Sequence, residues 1–212
     1  TERKMTILFA DIRNFTGLSE TMTPQENFDF LNSYLSQMEP MIVPYRGVID
    51  KYIGDAIMAL FPESSDDALR GALAMLERLE IYNRGRARAG YLPIRIGIGI
   101  NTGIVMMGTV GGIGRMEGTV ISDAVNLASR LEDMSKIYGV PLLISEHTLH
   151  SLEEPQRYAI RFIVRSRVKG KQEAQSVYEV FDGDPPAMRA AKLRTRKRFE
   201  EALAFFFVGD IF

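Results

Sequence analysis

The chain has 212 residues, 46% hydrophobic and 25% charged, which is enough to bury an ordinary core and stay dissolved. A formal net charge of −1 supplies no global field to recruit nucleic acid or an anionic membrane. The absence of cysteine excludes a disulfide framework, a zinc–thiolate site and a thiol nucleophile. His147 and His150 lie in a polar stretch with no carboxylates set around them, and read as surface residues. No apolar run reaches the ~20 residues of a spanning helix, and no targeting pattern opens the chain. A start at Thr1 without methionine predicts a cytoplasmic piece of a larger protein.

Met5 to Asp11, M-T-I-L-F-A-D, predicts a buried strand ending in a carboxylate. Thr23-Pro24-Gln25-Glu26 is a helix start: a threonine cap, proline in the first turn and a glutamate three residues on. That helix carries Phe28, Leu31, Leu35 and Met38 on one face, and Pro40, Pro44 and Gly47 end it. Asp50 to Phe61, D-K-Y-I-G-D-A-I-M-A-L-F, predicts two short strands around a turn at Gly54-Asp55. Gly-Asp reverses the favoured Asp-Gly order, but glycine still supplies the freedom a tight turn needs. The turn pushes Asp55 out at its tip, with Lys51 on the incoming strand.

Ser65-Asp66-Asp67 caps a second helix whose stripe is Ala68, Leu69, Ala72, Leu76 and Leu79. Residues 84–90 read as a polar, basic connection. Ile94 to Thr102 alternates isoleucine with small or polar residues as a strand, and a second strand, Gly103 to Val110, is expected to pair with it. The glycine-rich 108–118 stretch lacks both the G-x-G-x-x-G register and a P-loop, and reads as a mobile loop. Ser122 or Asp123 caps a helix from Ala124 to Tyr138. It buries Ala124, Leu127, Ala128, Leu131 and Met134, and sets Asn126, Arg130 and Asp133 on another face. Short strands follow at 141–145, 158–168 and 176–181, with a helix at 146–152 and a Lys169-Gly170-Lys171 turn. Composition changes after Pro186, dividing the chain into a globular unit, 1–183, and a helical tail, 184–212. The tail is basic, then apolar. It is either a terminal helix on the body or the start of a following module.

Irregular alternation of strands and helices, with several hairpins, predicts an α+β fold. Its sheet is mixed and mainly antiparallel, with helices packed on one face. Asp11 and Asp55 then emerge at strand ends. A carboxylate pair there suits Mg²⁺, which takes few protein carboxylates and keeps positions for substrate phosphates. Two such ions serve an in-line phosphoryl displacement. Amides from Arg13 to Thr16, just before a helix, can cradle phosphate oxygens. Either aspartate alone reads as a turn cap; the set together points to phosphoryl transfer.

Four blocks in order now show a resemblance. They are F-A-D-I at Phe9–Ile12 with Phe15-Thr16, K-Y-I-G-D at Lys51–Asp55, T-V-I-S-D-A-V-N-L-A-S-R at Thr119–Arg130, and V-K-G-K at Val168–Lys171. Together they resemble the class III nucleotidyl cyclase catalytic domain. The resemblance implies a ferredoxin-like core and a head-to-tail homodimer with active sites at the interface. It implies that Asp11 and Asp55, helped by the Ile12 carbonyl, hold two Mg²⁺ ions, for which Mn²⁺ can substitute. Amides near Phe15 and Thr16 would hold phosphates, and Lys169 the terminal ones. From the facing chain, Lys51 and Thr119 would read the base, Asn126 would orient the ribose and Arg130 would stabilise developing charge. The implied reaction makes 3′,5′-cyclic AMP and pyrophosphate from ATP.

Lys51 favours adenine, because an ammonium donates to N1, whereas guanine N1 carries its own hydrogen. Many members carry aspartate where this chain has Thr119, and the threonine form resembles a subgroup associated with bicarbonate as activator. Ser122 stands where glycine is usual, and Gly118 where a larger residue is common. Two other readings compete. A diguanylate cyclase or polymerase-like palm lacks support, since Gly54-Asp55 continues as Ala56-Ile57. A nucleotide-binding pseudo-enzyme would not need every matched position.

Overall fold

Glu2–Ile12 forms β1, a strand buried on both of its faces. Leu8, Ala10 and Ile12 enter one apolar cluster; Met5, Ile7 and Phe9 enter another. Such a strand needs a cover on each side. The computed structural model describes residues 1–112, 115–167 and 174–209, with 109–112, 115–119, 121, 166–167 and 208 described by backbone alone.

After β1 come α1 (Phe15–Ser19), α2 (Pro24–Met38), the hairpin of β2 (Val48–Ile53) and β3 (Ala56–Phe61), and α3 (Ser65–Arg88). Then follow β4 (Ile96–Gly112), β5 (Arg115–Ile121), α4 (Asp123–Ile137), β6 (Leu142–Ser145) and α5 (Glu146–Ser151). The chain closes with β7 (Ile160–Arg167), β8 (Ala174–Val180) and α6 (Pro186–Val208). Strand order is β2-β3-β1-β4-β6-β8-β7, with β5 paired to β4 off this path. The β4–β6 pair is parallel and the other described pairs are antiparallel, as a mixed, mainly antiparallel sheet requires.

The helices lie on both faces, not on one. Phe30, Tyr34 and Met38 of α2, with Leu69 and Met75 of α3, cover the Leu8 face. Helix α4 covers the other, Ala128 against Ile7 and Phe9, and Leu127 and Leu131 against Leu143 and Val177. The unbroken apolar run in β1 is what calls for this second layer.

Several local readings change, among them the α2 face, where Phe30 and Tyr34 are buried and Phe28 is exposed. Residues 94–110 are not two pairing strands, because β4 runs on unbroken. It pairs with β1 from Ile12↔Ile96 to Glu2↔Met106, then with β5 from Met106↔Ile121 to Gly112↔Arg115. The glycine-rich 108–118 stretch is mostly this hairpin rather than a loop, leaving 113–114 outside the described residues. Residues 84–88 are the last turns of α3, where the Arg86 guanidinium stacks on Phe30 and its Nε donates to Leu92 O at 2.9 Å. At the start of α2 the predicted capping box is present, with Glu26 N donating to Thr23 Oγ1 and Thr23 N to Glu26 Oε2. Helix α3 is capped one residue early by Ser64. Ser65 is buried, hydrogen-bonded to Thr6 and Thr102. Helix α6 lies against the sheet. Lys192 bridges buried Glu179 and Asp184 there, and Arg161 stacks on Phe199.

Candidate active site

The register Ala10↔Ile57 of β1 and β3, continued two steps, sets Ile12 opposite Asp55. Two residues, Gly54 and Asp55, close the β2–β3 hairpin between Ile53 and Ala56. Gly54 has φ +64° and Asp55 does not have a positive φ, so glycine at the first turn position is what the geometry demands. This hairpin tip delivers Asp55 to the end of β1. There the Ile12 N–H donates to Asp11 Oδ1 at 3.0 Å and to Asp55 Oδ2 at 3.2 Å. Two half-buried carboxylates therefore share one donor. Burial, then a hydrogen bond and charge repulsion from Asp11, push the Asp55 carboxyl up to about 7.

Beneath the pair lies Tyr34 of α2, fully buried, with no hydrogen-bond partner for its hydroxyl. Burial first, and then the charges of Asp11 and Asp55, raise its pKa. An orphaned phenol beside two crowded carboxylates is costly by itself. It fits a place where a hydrated cation would complete the polar network. No cluster of three or more His, Cys, Asp or Glu occurs among the described residues, so this oxygen-only pair would leave most coordination positions to water and phosphate.

Helix α4 carries the other half. Ser122 is its cap, accepting from Ala124 N at 3.0 Å and donating to Ile104 O at 2.5 Å. Ser122 thus closes the helix start and ties it to β4. Asn101 Nδ2 donates to Ala124 O at 2.9 Å, fixing the same end. At Gly99 a Cβ would collide with the α4 backbone at Ala128 and Glu132, so the helix lies directly on the strand. Asn126 is exposed and Arg130 partly so. Glu132, farther along α4, lies near enough to the pair to feel the charge of Asp11. Asn126 sits six residues before it, about 9 Å of helix. One chain therefore brings Asp11, Ile12 and Asp55 together, and holds Asn126 along a different stretch of its surface.

Lys51 sits on edge strand β2 beside a bulge between Ile49 and Lys51, with Nζ 3.2 Å from Asp50 Oδ2. Phe15 and Thr16 open α1, preceded by Asn14 at φ +57°; first-turn amides have no intrahelical acceptor. Thr119 is on β5, its backbone paired opposite Gly108. Lys169 lies outside the described residues.

Tyr34 and Glu132, next to the site, were not singled out from sequence, and Arg13 was read only for its amide, which is not open to phosphate because it donates to Arg95 O at 2.7 Å. Arg13 Nη1 donates to Glu132 Oε1 at 2.7 Å. Burial pushes Glu132 up to about 7 against the pull of Arg13. A faint signal existed: Glu132 follows Ala128 by one helical turn and so falls on the buried stripe.

The family model described as the adenylate and guanylate cyclase catalytic domain matches residues 1–180. The chain belongs to this family. The cyclase domain is 50% identical to an adenylate cyclase of Anabaena cylindrica over 84% of its own length and 37% of the relative's. It is 38% identical to the terminal-differentiation-specific adenylate cyclase of Dictyostelium discoideum over 96% of its length and 10% of the relative's. It thus spans only a minor part of these relatives. Among solved structures, the adenylyl cyclase CyaB from P. aeruginosa superposes with a TM-score of 0.76 at 33% identity, covering 86% of this chain and 95% of that one. The guanylyl cyclase Cya2 gives 0.73 at 32%, covering 88% and 95%. Neighbours of both base specificities share the cyclase domain's fold, so base choice must rest on individual side chains.

Proposed function

We propose that this domain is an adenylate cyclase, making 3′,5′-cyclic AMP and pyrophosphate from ATP at two sites shared across a head-to-tail homodimer. One observation carries the reading. Asp11 and Asp55 converge on the Ile12 amide, while Asn126 and Arg130 stand along α4 of the same chain. A second copy would bring its α4 to the first copy's carboxylates. The named adenylate cyclase relatives support the same reaction.

Asp11 and Asp55, with the Ile12 carbonyl, would hold two Mg²⁺ ions, or Mn²⁺ in their place. When bound, these supply Lewis acidity to the α-phosphate and to the ribose 3′-hydroxyl. The first-turn amides at Phe15 and Thr16, with Lys169, bind the phosphates. The partner chain's α4 does the rest: Asn126 orients the ribose, and Arg130 pairs with phosphate oxygens in a fork that lysine cannot copy. The 3′-oxygen bonds to the α-phosphorus, the bridge to the β-phosphate breaks, and the hydroxyl proton leaves to solvent. Lys51 donates to adenine N1, and the Thr119 hydroxyl accepts from the adenine amino group. Thr119 also brings an expectation of bicarbonate stimulation.

The test is direct. Purified protein should form cyclic AMP from Mg- or Mn-ATP. Asp55→Ala and Asn126→Ala should each fall by at least ~100-fold alone and recover part of the rate when mixed. A mixture as inactive as its components would end the shared-site reading.

A further inference from the structure

Arg13 directly follows the carboxylate-bearing strand, yet its side chain does not turn to solvent. The guanidinium crosses to α4. Nη1 donates to Glu132 Oε1 at 2.7 Å, and Nη2 bonds to Ser135 Oγ and, at 3.4 Å, to Glu132 O. Both charged side chains are largely buried, 15% and 9% exposed. Its route is kept open by Gly97, where a Cβ would collide with the guanidinium. The Arg13 backbone is committed too, its N–H donating to Arg95 O at 2.7 Å.

A buried ion pair is a poor device for stability alone, since packed apolar side chains of similar volume do as well or better. What distinguishes this pair is where its ends lie. Arg13 is joined to Ile12, two residues from Asp11 and two from Phe15. Glu132 is two residues from Arg130 on one rigid helix. The ion pair therefore spans the two halves of the catalytic machinery within a single chain.

We infer that Arg13 is a positioning residue whose clamp on Glu132 fixes the β1 end to α4, and so couples the two sites of the dimer. The inference rests on the shared-site reading, in which one chain's Asp11 and its own Arg130 serve opposite sites. A displacement of α4 at one site would then pass through Arg13 to the metal-binding strand end of the other.

The test uses the mixed dimer of an Asp55→Ala chain and an Asn126→Ala chain, which has one live site. The Asn126→Ala chain gives that site its carboxylates, and the Asp55→Ala chain gives it α4. Arg13→Met is placed in each chain in turn. The expected result is a kcat loss of about tenfold in both arrangements, in the range such coupling residues show. KM for ATP should stay within about twofold, since positioning and not ground-state binding is lost. Arg13→Lys should restore part of the rate. At pH 8, where Glu132 is ionised, Glu132→Gln, which leaves no stranded carboxylate, should repeat the pattern if Arg13→Met fails to fold.

A loss confined to one arrangement, or absent from both, overturns the inference while leaving the shared site intact. A parent mixture without recovery overturns the shared site and the coupling together.

Discussion

At Ile12 one N–H is donated to two carboxylates, and burial first, then the nearness of Asp11, raises the pKa of Asp55 against that donor's pull. A divalent cation should relieve the crowding of the pair. Mg²⁺ or Mn²⁺ should raise the thermal midpoint of the wild type, with a gain of about 2.7 kcal/mol at a hundred times Kd. Asp55→Asn should show almost none of it. An equal shift in the variant would detach the metal from this pair. Lys51 bears the base discrimination, so Lys51→Glu should lower ATP turnover by ~100-fold and improve GTP relative to ATP. Wild-type protein that cyclises both nucleotides equally would remove Lys51 from that role.

Glu132 gives the fold a pH dependence. It faces Arg13 from the end of β1, and feels Asp11 and its helix neighbour Asp133. Its folded pKa is raised by burial, so between about 4.5 and 7 the folded chain holds a proton that the unfolded chain has lost. Stability from this group is greatest below that window and falls as pH rises through it. Glu132→Gln cannot titrate, so melting should show the variant gaining on the wild type from pH 5 to pH 8. A pH-independent difference would mean that Glu132 is ionised throughout. Asp11 and Asp55 were legible in sequence because a strand end and a hairpin tip are local patterns. The Arg13–Glu132 pair was not, since its members are 119 positions apart and no spacing joins them.

Among the elements, α4 and β4 show why glycine was misread. Ile94 to Val110 read as two pairing strands divided at Gly103, and the glycine-rich 108–118 stretch as a loop. Gly99 and Gly103 instead admit the helix: a Cβ at Gly103 would lie 2.7 Å from Ala124 Cβ, and one at Gly99 would lie 2.8 Å from Leu131 C. A helix seated this closely demands the absence of a side chain in a strand of ordinary conformation, and single-sequence patterns do not separate that demand from a bend. Capping chemistry was legible at Thr23 and Ser122 because it is complete within four residues. Gly99→Ala should therefore cost ~3 kcal/mol or more by overpacking against backbone that cannot rotate away. Urea unfolding would read it. A loss under about 0.5 kcal/mol, typical of an uncrowded surface site, would show that α4 can lift freely.

For the whole molecule, the large apolar side chains left exposed are informative. Val48, Tyr52 and Ile53 stand out on edge strand β2, and Ile104, Met106 and Met107 on the extended arm of β4. No helix among the described residues is long and apolar enough to cross a membrane. Two groups of this kind, one beside Lys51 and the other on the strand paired with Thr119, are where a second copy would seat itself. A stable interface buries roughly 800 Å² per partner, with apolar residues at its centre. Ile104 is 63% exposed, so Ile104→Glu should leave the fold of one chain within about 0.5 kcal/mol. In the dimer the new carboxylate would be buried without a partner, and association should weaken by 2 kcal/mol or more, on the order of thirtyfold in Kd. Light scattering should then find monomer at concentrations where the wild type is dimeric. Activity should fall with dimer fraction and return at high protein concentration. A monomeric Ile104→Glu with undiminished turnover would contradict the shared site. A fully active dimer would move the interface away from this arm.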